Sequence, residues 1–225
     1  MSKAITSEGK CFYCEEKFSQ KGIVKHLAKH LSATEKKKPS EKERGYHLSI
    51  EAGNMFLQVL VKGSSRFQIL DAFLRDIWVE CCDHLSDFDH KDIEIGMSDK
   101  FFRVLSPKMK FDYIYDYGST TSFPLKVEGV YQIDQKEDIV LLSRNEPLKI
   151  LCSLCQKNSA TSICTVHAYQ TDECFFCEKC AAKHGKKCDD FSDYAEMPVV
   201  NSPRMGICGY TGGSVDVERD GVYKT

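Results

Sequence analysis

The sequence predicts an α+β fold in which an antiparallel sheet packs on one main amphipathic helix, with a small metal-stabilised unit at either end. Three observations lead to it. Ten of the twelve cysteines fall into two clusters towards the ends of the chain, with histidines interleaved among them. Short β-rich runs separated by turn signals occupy the middle. One long segment there repeats apolar residues at three- and four-residue spacing, the period of a helix with one buried face.

Composition sets the frame. With 225 residues, 42% hydrophobic and 28% charged, the chain suits one medium globular domain with smaller appendages. No apolar run of about 18 residues is present, so no membrane span is expected. Met1 to Lys10 is polar and lacks the apolar core of a signal peptide, which predicts a cytoplasmic protein with reduced thiols. The cysteines therefore point to zinc rather than to disulfides, and histidines four apart after a Cys-x2-Cys pair agree. Residues 1–45 hold 11 Lys/Arg against 6 Asp/Glu, a balance of +5 that leaves −7 for the remainder. The expected divisions are a zinc finger over 1–31, a charged linker over 32–45, the α+β domain over 46–148 and a two-zinc module with its tail over 149–225.

The first cluster reads Cys11-x2-Cys14-x11-His26-x3-His30. Histidines four apart share one helical face and can aim at one ion. Phe12, Tyr13, Phe18 and Ile23 supply a small apolar nucleus, and so short a unit needs a metal for its folding energy. It resembles the two-Cys two-His zinc finger, with eleven rather than the usual twelve residues between Cys14 and His26. If it docked on DNA like its namesakes, Ser19, Gly22 and Lys25 would face the bases. Gly22 has nothing to read with, so Lys17, Lys21, Lys25 and Lys29 are the candidate nucleic-acid contacts, to phosphates. The segment from Leu31 to Gly45 follows as a solvated tether.

In the middle, His47 to Ala52 and Met55 to Val61 flank Gly53-Asn54, a hairpin signal. Ser64 or Ser65 is the expected cap of the helix. Phe67, Leu70, Phe73, Leu74, Ile77, Trp78 and Cys81 form its buried stripe, with Arg66, Asp71, Arg75 and Asp76 opposite. Further strands are predicted over Phe101 to Leu105, Phe111 to Tyr115, Phe123 to Ile133 and Ile139 to Leu142. Asp116-Tyr117-Gly118 is a turn in which Asp116 bonds its own backbone and Gly118 supplies positive φ. Glu80, Cys81, Cys82 and His84 bring thiols, a carboxylate and an imidazole within five residues, the makings of a thiol nucleophile or of a further metal site. Because Cys81 falls on the buried stripe and adjacent helical residues do not face each other, core packing and a helix end explain them more simply.

The second cluster runs Cys152, Cys155, Cys164, His167, Cys174, Cys177, Cys180, His184 and Cys188, with Cys208 trailing. Its pairs are Cys152/Cys155, Cys164/His167, either Cys174/Cys177 or Cys177/Cys180, and His184/Cys188. Phe175-Phe176 under a knuckle and Ala181-Ala182 opening a helix favour Cys177/Cys180. A cross-brace joins the first pair to the third and the second to the fourth, as in B-box or RING-like modules; one four-Cys site with other thiols left over is the alternative. Three zinc ions are thus expected in the whole chain. The Met197 to Gly212 tail is rich in Pro and Gly, and Arg204, Asn201 and Ser202 suit either a phosphate or packing across the body.

Phe73-Leu74-Arg75-Asp76-Ile77-Trp78-Val79-Glu80-Cys81-Cys82-Asp83-His84-Leu85-Ser86-Asp87-Phe88, then Tyr115-Asp116-Tyr117-Gly118-Ser119-Thr120-Thr121 and Leu125-Lys126-Val127, resembles the plasmid pRiA ORF-three-like family, the TnpR-like passenger proteins of insertion elements. The resemblance spans roughly residues 46–145. Many members continue after Gly118 with Asp and Trp; Ser119-Thr120-Thr121 here is similar to the branch bearing a C-terminal zinc module, as is the tail. The resemblance implies an α+β domain and a mobile-element setting, and no reaction. Two partner classes follow from the residues, nucleic acid through the basic N-terminal segment or a protein, with a thiol-dependent enzyme using Cys82 and His84 as a third reading.

Overall fold

A computed structural model describes residues 7–35, 44–133, 135–171 and 173–214. In chain order, β1 (Glu8–Lys10) and β2 (Lys17–Ser19) form a hairpin that leads into α1 (Gln20–Ala33). The next hairpin is β3 (Gly45–Ala52) with β4 (Met55–Lys62), and α2 (Phe67–Leu74) continues into a π-helical turn at Arg75–Val79. There follow β5 (Ser86–His90), β6 (Ile93–Ile95), α3 (Phe101–Val104), β7 (Lys110–Tyr115), β8 (Thr121–Tyr131) and β9 (Ile139–Arg144). The C-terminal part adds β10 (Ser162–Cys164), α4 (Thr165–Ala168), β11 (Phe175–Phe176), α5 (Glu178–His184), a π-helical turn at Phe191–Ala195 and β12 (Glu196–Pro198). The protein is therefore α+β, as its sequence predicts. Its main sheet has seven strands in the order β6-β5-β7-β8-β3-β4-β9, every pairing antiparallel.

Both faces of one half of this sheet are covered, which explains why β4 is almost continuously apolar where a half-exposed strand would alternate. Met55, Leu57, Val59 and Val61 join Phe67, Leu70, Phe73, Leu74, Ile77 and Trp78 of α2 and its extension in the main core. Phe56 and Leu60, on the other face, pack with Ile23, Leu27 and Leu31 of α1 and with Leu142. The other half of the sheet alternates instead. In β7, Phe111, Tyr113 and Tyr115 are buried while Lys110 and Asp112 are exposed, so only one face there meets the core.

The finger is thus docked on the body rather than held at a distance. Its strand β1 bridges to the end of β9 at Gly9 and Asn145, the Phe12 amide donates to the Leu142 carbonyl at 3.0 Å, and the Glu146 amide donates to Glu8 at 2.7 Å. A Cβ at Gly9 would lie 2.5 Å from Cζ of Phe56, so only glycine permits this approach. Most of the expected tether, residues 36–43, lies outside the described residues; before it, α1 runs on to Ala33 with Leu31 buried.

Several local expectations change. Neither Ser64 nor Ser65 caps α2: Arg66 holds the N-cap position without a side-chain bond, and the Ser65 hydroxyl bonds Asp138. Phe101 to Leu105 is a helical turn with the Phe101 ring tilted against that of Phe67 at 4.8 Å, a run too short for periodicity to separate helix from strand. Asp116 itself takes the positive φ of its turn, 63°, while its carboxylate accepts the Gly118 amide at 2.8 Å. Arg75 faces inwards, bonded to Asp71 at 3.0 Å and Glu80 at 2.6 Å. A hairpin not predicted, β5 with β6, turns at Lys91 and Asp92, both at positive φ without glycine.

The tail packs across the body. Asn201 bonds the Asn145 side chain at 2.7 Å, the Ser202 hydroxyl donates to the Trp78 carbonyl at 2.5 Å, and Arg204 is fully buried. Its guanidinium donates to Asp116 at 2.6 Å, to the Ser119 carbonyl at 2.8 Å and to the Thr121 hydroxyl at 2.9 Å. A phosphate-binding role for these three residues is replaced by this packing.

Candidate metal centres

Four groups of Cys and His side chains have ligand atoms that all lie within 4.8 Å of one another, and each can hold a metal ion. In the N-terminal group, Cys11 and Cys14 sit on the turn between β1 and β2. The Cys11 amide donates to Glu16 at 2.9 Å, and Glu15 closes the turn at positive φ. Ser19 caps α1 by accepting the Gly22 amide at 3.3 Å, which fixes the helix that presents His26 and His30 one turn apart. Their Nε2 atoms are 3.1 Å apart, and Cys14 Sγ is 3.2 Å from that of His26. Phe18 stacks on His26 at 4.0 Å and Tyr13 on His30 at 5.1 Å, orienting both rings.

The C-terminal module holds two groups, one of Cys152, Cys155, Cys177 and Cys180, the other of Cys164, His167, His184 and Cys188. The first expected pair meets the third and the second meets the fourth. A short sheet, β11-β10-β12, sets the spacing, and α5 contributes Cys180 to one group and His184 to the other. Cys152 and Cys155 ride a tight knuckle in which the Gln156 amide donates to the Cys152 carbonyl at 2.9 Å. Phe176 stacks on His184 at 4.2 Å, and Phe191 meets it edge-on at 4.8 Å. Cys174 joins none of the groups; it is buried with Ile163 and Met197.

The spacing of the ligand atoms is compatible with coordination. A tetrahedral zinc with bonds of about 2.3 Å to sulfur and about 2.0 Å to nitrogen has edges of about 3.8 Å between sulfurs and about 3.5 Å between sulfur and nitrogen. Cys155 and Cys177 are 3.9 Å apart, and Cys164 Sγ is 3.1 Å from Nδ1 of His167. A disulfide would need about 2.05 Å. The field around the sulfurs is uneven. Burial pushes the Cys180 thiol up to about 12, whereas at Cys152 hydrogen bonds from the backbone of Cys155, Cys177 and Leu154 outweigh burial and bring it down to about 6. Burial, and then the nearby His167, lowers His184, which favours the neutral imidazole a metal requires.

Cys81 packs against the main core, and Cys82 and His84 follow the helix end and lead into β5, as expected. Cys81 is half-buried beyond the π-helical turn, and the tail brings Cys208 to all three, forming the fourth group. The pair-based reading left Cys208 out of this group because it stands 126 residues from Cys82.

Among the candidate nucleic-acid contacts, Lys21, Lys25 and Lys29 are exposed along α1, while Lys17 pairs with Glu146 at 3.7 Å. Among the described residues, no helix is long and apolar enough to cross a membrane.

No protein-family profile matches this chain, and no curated protein does. A crystal structure of a protein of unknown function from Methanosarcina mazei Go1 aligns with a TM-score of 0.36 at 18% identity, covering 42% of this chain and 64% of that one.

Proposed function

We propose that this is a non-enzymatic, zinc-stabilised adaptor whose N-terminal helix binds nucleic acid through phosphates. The carrying observation is the orientation of α1. Ile23, Leu27 and Leu31 face the sheet, which turns Lys21, Lys25 and Lys29 outward, one about every 6 Å along the axis. Base reading is disfavoured, since Gly22 has no side chain and the Ser19 hydroxyl is engaged in capping. Contacts of this kind are independent of sequence and weaken steeply with salt.

Zinc acts here as scaffold. Cys11, Cys14, His26 and His30 hold one ion, Cys152, Cys155, Cys177 and Cys180 a second, and Cys164, His167, His184 and Cys188 a third. Four protein ligands at each leave no position for a reactive water. The mobile-element setting rests on the resemblance to the pRiA ORF-three-like family.

Titrating random duplex DNA and RNA across salt concentrations tests this reading. Three phosphate contacts give a slope of log affinity against log salt of about −3, and reversing Lys21, Lys25 and Lys29 to Glu removes it. Absence of binding at low salt defeats the nucleic-acid reading. A protein-binding scaffold is then the better account, favoured by the acidic balance beyond residue 45 and by the diversion of Lys17 to Glu146.

A further inference from the structure

We propose that Cys81, Cys82, His84 and Cys208 form a fourth zinc centre, which clamps the C-terminal tail to the end of the core helix. The four ligand atoms converge as in the other groups. Cys82 Sγ is 3.7 Å from Cys81 Sγ and 3.6 Å from Cys208 Sγ, and Nε2 of His84 lies 3.0 Å from Cys82 and 3.3 Å from Cys208. These separations approach the tetrahedral edges set by zinc–sulfur and zinc–nitrogen bonds. They are far too long for a Cys82–Cys208 disulfide.

The surroundings are built for this assembly. The Tyr115 hydroxyl accepts the amides of Cys81 at 3.5 Å and His84 at 3.3 Å and donates to Glu80 at 3.1 Å, so it holds the ligand loop from beneath. Asp83 between the ligands lies at φ 58°, and Cys208 itself lies at φ 49° between Gly206 and Gly209, also at positive φ. Non-glycine residues enter that region only when their surroundings impose it, and here the outcome is to aim the thiols at one point. Binding releases three thiol protons to solvent and leaves three thiolates around a dication, one negative charge in excess. Arg204 donates towards one of these sulfurs, with Nη2 3.4 Å from Cys81 Sγ, and shares its charge with Asp116, whose Oδ2 lies 2.6 Å from the same nitrogen. That carboxylate oxygen is 3.5 Å from Nε2 of His84. The ligands thus come from the helix end and from the tail, so one ion ties these two, while Asp116 in the turn after β7 is joined to them through Arg204.

Elemental analysis of the full, reduced chain tests the proposal. We expect four zinc ions per chain, falling to three in Cys208→Ser and in Cys82→Ser, with the other three groups still loaded. In the unmodified native protein, alkylation of the exposed Cys82 and Cys208 should be at least about tenfold slower than in the denatured protein, because zinc withholds their thiolates. Three ions in the native chain together with rapid alkylation of both residues overturn the proposal, as does a Cys82–Cys208 disulfide recovered from it. Because the native measurements need no variant, misfolding of a substituted chain cannot obscure the answer. The result is independent of whether α1 binds nucleic acid.

Discussion

In the N-terminal finger the ligand group stands beside an apolar face of α1, where Ile23, Leu27 and Leu31 are buried against Phe56, Leu60 and Leu142 of the sheet. In the C-terminal module half of the principal buried cluster is the ligands themselves, Cys152, Cys164, Cys177 and Cys180, with Phe176, Ala181, Phe191 and Ala195. The finger therefore has an anchor that does not depend on a metal, and the module has little else. A Cys/His group can thus fasten a unit that already has a docking face, or it can stand in for the core.

Chelation gives the largest expected effect. Apparent free energies of structural zinc binding are about 10–16 kcal/mol in isolated fingers, more than so small a cluster supplies by itself. Stripping the metals should abolish hydrogen-exchange protection across residues 152–198 while amides of α1 facing the sheet keep part of theirs. Simultaneous, equal loss at both ends would erase the distinction drawn between them.

Leu27→Ala should act in the opposite sense. Truncating this fully buried side chain at the docking face costs about 2–5 kcal/mol, lowering the urea midpoint of the body and loosening the finger. The metal content of the C-terminal module should not change. A variant as stable as the parent would show that the finger is only resting on the sheet.

The smallest effect is one of pH. His47 is fully buried on the sheet face that the finger covers, its Nε2 2.8 Å from Gln58 Oε1. Burial, against the weaker pull of Gln58 and Glu128, lowers it to about 4. Its ordinary value is about 6.5, so between these limits the unfolded chain binds the extra proton. The stabilisation from neutral His47 is complete above about pH 6.5 and is lost as pH falls towards 4, by about 1.4 kcal/mol per unit. The difference between the pH–stability curves of the parent and His47→Gln should show this slope, and an undocked Leu27→Ala chain, which admits water to His47, should show less of it.

Much of this was legible locally. Gly53-Asn54 marked the β3–β4 hairpin, the three- and four-residue spacing marked α2, and Cys and His pairs at short spacing marked the residues gathered at both ends, because each signal lies within one turn or one helical face. What was missed depends on neighbours distant in the chain. Phe101 to Leu105 reads as a strand until the packing of Phe101 against Phe67 is known. The β5–β6 turn lacks the glycine that would announce it. Phe56 and Leu60 read as core residues without showing that their partner is the finger.

The sequence by itself determined the α+β class, the main hairpin and helix, and the short-range pairing of cysteines and histidines, since backbone propensity and ligand spacing act over a few residues. Only the tertiary structure decided the docking of the finger, the burial of Arg204 against Asp116 and the meeting of Cys208 with Cys81, Cys82 and His84. Those depend on which surfaces close over one another once the sheet forms, and no local pattern carries that information.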